Sequence, residues 1–291
     1  FVAMTGFAAD GHAYIGKAMA AGAAAVVCER PPEDSSVPYV LVENSRRALA
    51  VMAANYYGHP ADSMTMVAVT GTNGKTTTTY LLKAILEQEL GAKVGLIGTN
   101  QDLIGDEVVP TERTTPESLE LQELFARMRS AGCTHVVMEA SSHALALDRV
   151  YGIHYAVGIF TNLTQDHLDF HKTMEAYCDA KAILFQNCDV GVCNADDPWT
   201  ERLLQNATCR RYLYAEHAAA DLRAENILLA ADHIAFDAVT KDGRTPIKVG
   251  IPGGFMVYNT LDVLGAALAL GVPLEKSARA LSTVPHVKGR G

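Results

Sequence analysis

The stretch "VAVTGTNGKTTTTYLL", residues 67–82, sets the expected fold of this chain. An apolar run rich in β-branched residues leads into a glycine-containing turn, and a helical segment begins at Lys75. Such a strand–turn–helix unit directs backbone N–H groups and a helix N-terminus at an anion. In the common phosphate-loop pattern G-x-x-x-x-G-K-[ST], the first glycine would stand where this chain has Val69. The glycine stands instead at Gly71, which indicates a less common branch of nucleotide-binding proteins.

Two side chains of this turn suit phosphate chemistry. Lys75 supplies a point charge for the outer phosphates of a nucleotide, and the hydroxyl of Thr76 can ligate Mg²⁺. The alternative is an ordinary strand-to-helix turn without a ligand. We prefer the phosphate loop because the glycine, the lysine and the hydroxyl all stand between a strand pattern and a helix pattern.

The rest of the chain continues the strand–helix rhythm and predicts an α/β fold. We expect a small N-terminal α/β domain over residues 1–62. Residues 63–291 should form a phosphate-loop domain with a mostly parallel sheet and helices on both faces. A small antiparallel extension is expected around Asp242-Gly243. The predicted strands of the large sheet are MTMVAVTG (64–71), KVGLIGT (93–99), THVVMEAS (134–141), YAVGIFTN (155–162), VGVCNADD (190–197) and RRYLYAE (210–216).

Composition narrows the function classes. The chain has 291 residues, of which 49% are hydrophobic and 20% charged, as in ordinary soluble globular proteins. A formal net charge of −9 argues against broad binding of nucleic acid or of anionic membranes. We find no apolar run long enough for a membrane span and no signal peptide. The six cysteines form no C-x-x-C pair, which favours free thiols, a reducing cytoplasmic setting and no zinc site.

The two ends suggest a piece of a longer protein. The chain opens on Phe1 with a strand already in progress, and it stops at "HVKGRG" without a closing element. We therefore expect further chain on both sides.

Several polar residues stand where a metal or substrate site would lie, each with a simpler alternative. Glu139 ends an apolar strand, where a Mg²⁺-binding acid belongs, although it could also cap the following turn. Two histidines and two aspartates crowd into residues 166–171, but a single histidine is more often structural. Lys181 has the pattern of a lysine on a helix surface. Thr115-Pro116 predicts the N-cap and first turn of a helix reaching to about residue 132.

Three motifs resemble the Mur ligase family, the ATP-dependent enzymes that extend the peptide of the cell-wall precursor. They are "TGTNGKTT" (70–77), "MEASSH" (138–143, with alanine for the family's valine) and "TNLTQDHLDFH" (161–171). Cyanophycin and folylpolyglutamate synthetases share the same loop variant. The resemblance implies ATP and Mg²⁺ as ligands. The loop residues implied to hold ATP are Gly71, Thr72, Asn73, Gly74, Lys75, Thr76 and Thr77.

The same resemblance assigns the metal site. Glu139, beside Thr76, is an implied Mg²⁺ ligand, His167 is an implied ligand of a second metal ion, and Asn162 shapes the site. Lys181, within "AYCDAKAILF", matches the family lysine that reacts with CO₂ to give a carbamate (N6-carboxylysine). That reaction replaces a cation, which would repel the metal, by an anion that can bind it. It needs an uncharged amine and so a lysine with a lowered pKa.

The acceptor site follows from "TERTTPES", residues 111–118, which is most similar to the branch that adds the third residue to UDP-N-acetylmuramoyl-L-alanyl-D-glutamate. The resemblance implies that the acceptor contacts Thr114, Thr115, Ser141 and Arg149. Arg113 stands where this branch commonly has an asparagine. The amine donor, diaminopimelate or lysine, is left open.

The ends of the chain carry weaker resemblances. Asn259, in "GFMVYN", is implied to lie near the adenine, although Met256 replaces the family's first asparagine. Gly289-Arg290 resembles the end of the family's central domain. Residues 1–27 resemble the uridine-binding domain of the same branch. A third domain, which carries the amino-acid pocket in this family, is expected beyond Gly291.

The implied function is a ligase reaction through an acyl phosphate, catalysed by Lys75, Glu139, His167 and Lys181. Its partners would be the UDP-N-acetylmuramoyl dipeptide and a diamino acid, and we expect a cytoplasmic monomer without membrane insertion. Without the third domain, residues 1–291 alone should turn over poorly. Three alternatives stay open: a sister Mur-type or folylpolyglutamate-type ligase, a phosphate-loop switch or kinase domain, and an inert binding module.

Overall fold

The computed structural model describes residues 1–285 as an α/β protein, which confirms the predicted fold class. The strands are Val26–Cys28 (β1), Tyr39–Leu41 (β2), Thr65–Thr70 (β3), Val94–Ile97 (β4), Asp102–Ile104 (β5), Glu107–Val109 (β6), His135–Glu139 (β7), Tyr155–Phe160 (β8), Cys188–Asn194 (β9), Arg210–Ala215 (β10), Leu222–Leu229 (β11), Ile234–Thr240 (β12) and Gly243–Val249 (β13). The α-helices are Ile15–Ala20 (α1), Ser45–Tyr57 (α2), Lys75–Leu90 (α3), Ser118–Ser130 (α4), Ser142–Ala146 (α5), Leu168–His171 (α6), Met174–Ala182 (α7), Thr200–Leu203 (α8), Phe255–Ala269 (α9) and Leu274–Ser282 (α10). Short 3₁₀ helices cover Gly11–Tyr14, Pro60–Ser63 and Ile183–Gln186. Over this described range, no helix combines the length and the apolar character needed to cross a bilayer.

One large sheet organises most of the described chain. Its strand order is β13-β12-β11-β10-β9-β8-β3-β7-β4-β5-β6. The pairs from β11 to β4 are parallel, and the β12–β13 hairpin at Asp242-Gly243 adds the predicted antiparallel extension at one edge. At the other edge, β5 and β6 form a second antiparallel extension that we did not predict from the sequence.

Helices cover both faces of this sheet, and side-chain alternation along β3 shows how. Val67 and Val69 pack into a cluster with residues of α3, α9 and α10 on one face. Met66 and Ala68 pack into a second cluster with α4 and α7 on the other face. A strand buried on both sides needs apolar residues at every position, which explains its nearly continuous apolar sequence.

The parallel strands end at a common edge, and their register fixes which loops meet there. Thr70 of β3 pairs with Phe160 of β8, and Val69 pairs with Glu139 of β7. Met138 of β7 pairs in turn with Ile97 of β4. The loops that follow these four strands therefore converge at one edge, the usual place for ligands in open α/β sheets.

A buried carboxyl group links the two helices nearest this edge. Asp262 of α9 is fully buried, and both of its carboxyl oxygens accept from the hydroxyl of Thr78 in α3, at 2.9 and 3.0 Å. Burial raises the pKa of Asp262 well above its ordinary value, and the Thr78 hydroxyl opposes this rise. The protonated acid is therefore the form that the fold favours.

The raised pKa of Asp262 predicts that Asp262→Asn stabilises the protein by an amount that depends on pH. An acid whose pKa is higher in the folded than in the unfolded protein stabilises the fold at low pH. This stabilisation is lost as the pH rises above the pKa of the acid in the unfolded protein, about 4. The amide mimics the protonated acid, so the variant should unfold with a free energy at least about 1 kcal/mol higher than the parent at pH 8. Urea unfolding at pH 4 and pH 8 measures the difference. Thr78→Val is the control: it removes the donor and should destabilise at both pH values by about 1–3 kcal/mol.

Candidate functional site

The loop between β3 and α3 needs glycine at two positions. Gly71 has φ +146° and Gly74 has φ +92°, a region that favours glycine. A Cβ atom on Gly71 would lie 1.8 Å from Oγ1 of Thr161, and one on Gly74 would lie 2.4 Å from Oδ1 of Asn259. The backbone of the loop therefore packs directly against Thr161 and Asn259. The loop leads into α3, a helix of 16 residues without an acid in its first turn. This cradle fits a phosphate group.

Neighbouring side chains hold the loop in this shape. The backbone N–H of Asn73 donates to Oδ1 of Asn162, and Nδ2 of Asn162 donates to the Asn73 carbonyl, both at 3.1 Å. The hydroxyl of Thr72 lies 3.2 Å from the carbonyl oxygen of Thr164. Asn162 thus braces the phosphate loop, and its role in shaping the metal site stays a prediction.

The lysine of the loop lies close against the loop backbone. Nζ of Lys75 donates to the carbonyl oxygens of Gly71, at 2.8 Å, and Thr72, at 3.3 Å. Thr76 and Thr77 follow in the first turn of α3, the former buried and the latter half-buried. The cation, the amides and the hydroxyls thus stand together at the helix N-terminus.

Glu139 is buried at the end of β7 and faces the loop. Its Oε1 accepts from the hydroxyl of Thr76 at 2.9 Å and from the backbone N–H of Thr99 at 3.1 Å. Its Oε2 accepts from the Thr99 hydroxyl at 2.9 Å. A carboxylate next to a hydroxyl offers the hard oxygen ligands that Mg²⁺ prefers, so this pair fits the predicted metal. The Thr99 amide lies in the loop after β4, so this contact is not the alternative cap of the turn that follows Glu139.

Lys181 is not on the surface, so the surface-lysine alternative is wrong. Its side chain is among the largest fully buried ones, because α7 packs this face against the phosphate loop. Nζ donates to the Gly71 carbonyl at 3.1 Å and lies 4.5 Å from the centroid of the Tyr177 ring. Burial, and then the positive charge of Lys75, lower the pKa of Lys181 well below its ordinary value. An amine in this position can lose its proton, as reaction with CO₂ requires.

His167 lies at the mouth of the site and is 48% exposed. It has φ +51° at the start of α6, and its Nε2 stands 3.4 Å from Oδ2 of Asp166. Its ring centroid is 5.1 Å from that of His143. Within residues 1–285 no three histidine, cysteine or acidic side chains stand close enough to hold a metal ion, and the metal-ligand role of His167 stays a prediction.

The predicted acceptor residues surround the strand end of Glu139. The hydroxyl of Thr114 is 3.0 Å from that of Thr99, and Ser141 caps α5 by accepting from the Ala144 amide at 3.1 Å. Arg149 is largely buried and donates to the Thr115 carbonyl at 3.3 Å. These residues lie near one another, and their contact with the acceptor stays a prediction.

The N-cap prediction for Thr115 is wrong. α4 begins at Ser118, with Glu117 in the cap position. The Thr115 hydroxyl donates instead to the Glu139 carbonyl at 2.8 Å and accepts from the Ser141 N–H at 3.1 Å. The Thr115 hydroxyl thereby satisfies backbone groups at the end of β7 and directly after it. Rules for helix caps consider only neighbours in sequence and do not include such distant partners.

A cleft of about 440 Å³ brings the four predicted acceptor residues together with Lys75 and His167. Its lining residues are Lys75, Thr99, Arg113, Thr114, Thr115, Ser141, His143, Arg149 and His167. Glu139 reaches the same place through Thr76 and Thr99. Three side chains of the cleft are cationic, and two of them, Arg113 and Arg149, pair with Glu117 at 2.9 and 3.2 Å. The remaining excess of positive charge suits an anionic ligand.

Asn259 lies beside the loop on the α9 side. It is buried, and its amide packs on Gly74, with Nδ2 3.9 Å from Sδ of Met256. Its adenine contact stays a prediction. The predicted Gly289-Arg290 pair lies outside the described residues.

Three residues of this site carried no predicted role. Thr99 binds both oxygens of Glu139, His143 lines the cleft, and Tyr177 stacks with Lys181. Thr99 could have been found, because it ends the strand "KVGLIGT" at the same sheet edge. His143 stands within the "MEASSH" motif, where it was left without a role. No sequence pattern indicated a role for Tyr177 in the site, because a tyrosine in a helix usually packs in the hydrophobic core.

Two family models match the chain. The Mur ligase middle domain matches residues 69–267, and the Mur ligase family catalytic domain matches residues 1–57. The middle-domain model alone thus covers more than half of the 291 residues.

Relatives and solved structures agree with the family models. The UDP-N-acetylmuramoyl-L-alanyl-D-glutamate–2,6-diaminopimelate ligase of Clostridium botulinum is 46% identical, over 100% of this chain and 61% of its own length. The ligase of the same name from Listeria monocytogenes is 40% identical, over 100% of this chain and 60% of its own. A solved structure of such a ligase superposes with a TM-score of 0.87 at 26% identity, covering 100% of this chain and 61% of that one. The chain thus spans about 60% of the length of these curated relatives, and it belongs to the Mur ligase family.

Proposed function

We propose that this chain is the catalytic part of an ATP-dependent ligase that joins 2,6-diaminopimelate to UDP-N-acetylmuramoyl-L-alanyl-D-glutamate. The observation that carries the proposal is the cleft in which Lys75 meets the acceptor residues Thr115 and Arg149. The donor, which the sequence left open, is proposed as diaminopimelate because the Clostridium and Listeria relatives carry that name.

The reaction joins two anions, and the residues of the cleft make this possible. The acceptor carboxylate attacks the γ-phosphorus of ATP, the bond to the leaving ADP breaks, and an acyl phosphate forms. The donor amine then attacks the acyl carbon, and phosphate leaves as the amide bond forms and the amine loses a proton. Lys75 and the loop amides offset the phosphate charge, while Arg149 and Thr115 orient the acceptor. Without these groups, the acceptor carboxylate and the γ-phosphate would repel each other strongly, because the dielectric constant in a cleft is low.

Thr76, Glu139, His167 and Lys181 are the proposed Mg²⁺ ligands. Bound Mg²⁺ would neutralise the charge of the outer phosphates. The hydrogen bond between Thr76 and Glu139 supports the first two. For Lys181 we propose the carbamate, formed when the unprotonated amine attacks CO₂ and releases a proton. Support comes from its burial and from its place on the Gly71 carbonyl.

We propose that the chain contains parts of two domains that bind different ligands. Residues 1–62 form part of the UDP-precursor domain, and residues 63–291 form the ATP domain. Residues Ala3, Ile15, Val26 and Cys28 support this division because they form a separate hydrophobic cluster. We also propose that the protein acts as a monomer.

The function is tested with the natural full-length protein, ATP, Mg²⁺ and the UDP-muramoyl dipeptide. We expect ADP and phosphate release that requires both the dipeptide and diaminopimelate, with a tripeptide product in the mass spectrum. Turnover with lysine in place of diaminopimelate would correct the donor. Turnover only with the UDP-muramoyl tripeptide and D-alanyl-D-alanine, or with folate and glutamate, would reassign the enzyme to a sister ligase. Acceptor-independent ATP hydrolysis would favour a nucleotide switch, and the same assay tests the prediction that residues 1–291 alone turn over poorly.

A further inference from the structure

Two glycines in neighbouring strands make room for a pair of thiols. Gly158 of β8 and Gly191 of β9 are directly paired. A Cβ atom on Gly158 would lie 3.1 Å from Sγ of Cys188, and one on Gly191 would lie 2.8 Å from Sγ of Cys209. Adjacent strands run roughly 4.8 Å apart, so the two sulfur atoms stand over neighbouring positions on the same sheet face.

The two thiols differ in access and interact with each other. Cys188 is buried at the first position of β9, whereas Cys209, directly before β10, is partly exposed. The interaction between the two thiols raises the pKa of Cys188 and lowers the pKa of Cys209. The nearby charge of Arg211 also favours the Cys209 thiolate. Cys209 is therefore the nucleophile of the pair, and Cys188 is the thiol placed to meet it.

The other cysteines lack this character. Burial raises the pKa values of Cys28, Cys133, Cys178 and Cys193, which keeps these thiols protonated. A buried protonated thiol reacts slowly with oxidants and alkylating agents.

We propose that Cys209 and Cys188 form a redox-active dithiol that hydroperoxides convert to a disulfide. The Cys209 thiolate attacks the terminal oxygen of the hydroperoxide and the O–O bond breaks. Cys209 becomes a sulfenic acid, and the leaving alkoxide takes a proton from water to become the alcohol. The Cys188 sulfur then attacks the Cys209 sulfur, an S–S bond forms, and the hydroxyl leaves with the Cys188 proton as water. Two electrons pass from the thiols to the hydroperoxide. This inference goes beyond the proposed ligase function and does not depend on it.

The position of the pair keeps the reaction apart from the cleft. Cys188 stands at the start of β9, and the other end of this strand, Asn194, donates to the Thr161 carbonyl beside the phosphate loop at 3.2 Å. Oxidation at the start of β9 therefore leaves the side chains of the ligand edge chemically unchanged.

The test is peptide mapping after treatment of the reduced protein with hydrogen peroxide. After denaturation and alkylation with N-ethylmaleimide, we expect a cross-linked peptide pair containing Cys188 and Cys209. In Cys188→Ser, we expect no cross-link and a sulfenic acid at Cys209 that dimedone traps. Cys193→Ser is the matched control and should still form the cross-link.

Three results would overturn the proposal: a cross-link through Cys193, oxidation of Cys209 to sulfinic acid without a cross-link in the parent protein, or faster oxidation of a buried cysteine than of Cys209. Mapping of the parent protein decides between these results even if a serine variant fails to fold.

Discussion

Lys181→Arg in the full-length protein should lower the ligase kcat by about 10²- to 10³-fold, although the positive charge is kept. Arginine cannot form the carbamate, and its guanidinium stays protonated. It would therefore leave a cation beside Lys75 and the Gly71 carbonyl, where the proposed function needs an anion. Initial rates of ADP release at saturating substrates measure this loss, and Lys181→Ala should match it.

Two controls separate the carbamate from a structural role. Lys276→Ala changes an exposed helical lysine of α10 and should leave kcat unchanged. ¹³C NMR in labelled bicarbonate should show a carbamate carbon in the parent protein that is missing from Lys181→Arg. Full activity of Lys181→Arg, together with no carbamate signal in the parent, would show that Lys181 acts only by donating to the Gly71 carbonyl.

Sequence patterns predicted those parts of the site that depend on residues close together in the sequence. The phosphate loop stands between one strand and one helix in sequence, so glycine spacing and periodicity located it. Glu139 was predicted because it ends an apolar strand, and parallel strands place their ends at one edge. The family model that covers residues 69–267 confirms the membership that the motifs indicated.

Other features depend on contacts between distant segments, and sequence patterns could not show them. The burial of Lys181 depends on how α7 meets the loop, 110 residues away in the chain at Gly71. The Thr115 hydroxyl was predicted to cap a helix, because the sequence pattern considers only neighbouring residues. Its actual acceptor, the backbone carbonyl of Glu139, is distant in sequence. The β5–β6 edge has only three residues in each strand, too few for a clear period-two pattern.

Gly71→Ala should destabilise the chain by about 2 kcal/mol or more and weaken ATP binding at least about tenfold. The alanine must adopt φ +146°, and its Cβ would lie 1.8 Å from Oγ1 of Thr161. Because β3 and β8 are paired directly before these residues, neither side can move without disturbing the sheet. Urea unfolding measures the stability, and titration with a fluorescent ATP analogue measures the binding.

Gly243→Ala is the matched control, because Gly243 has φ +148° but no atom within 4 Å of its Cβ position. It carries the backbone strain without the clash, so it should cost only about 1 kcal/mol and leave ATP binding unchanged. Adding Thr161→Ala to Gly71→Ala removes the clashing hydroxyl and leaves the Thr161 Cβ at 3.1 Å, so stability should recover in part. If Gly71→Ala costs no more than Gly243→Ala, then strain alone explains the glycine. In that case the close packing of Gly71 against Thr161 would not determine the shape of the phosphate loop.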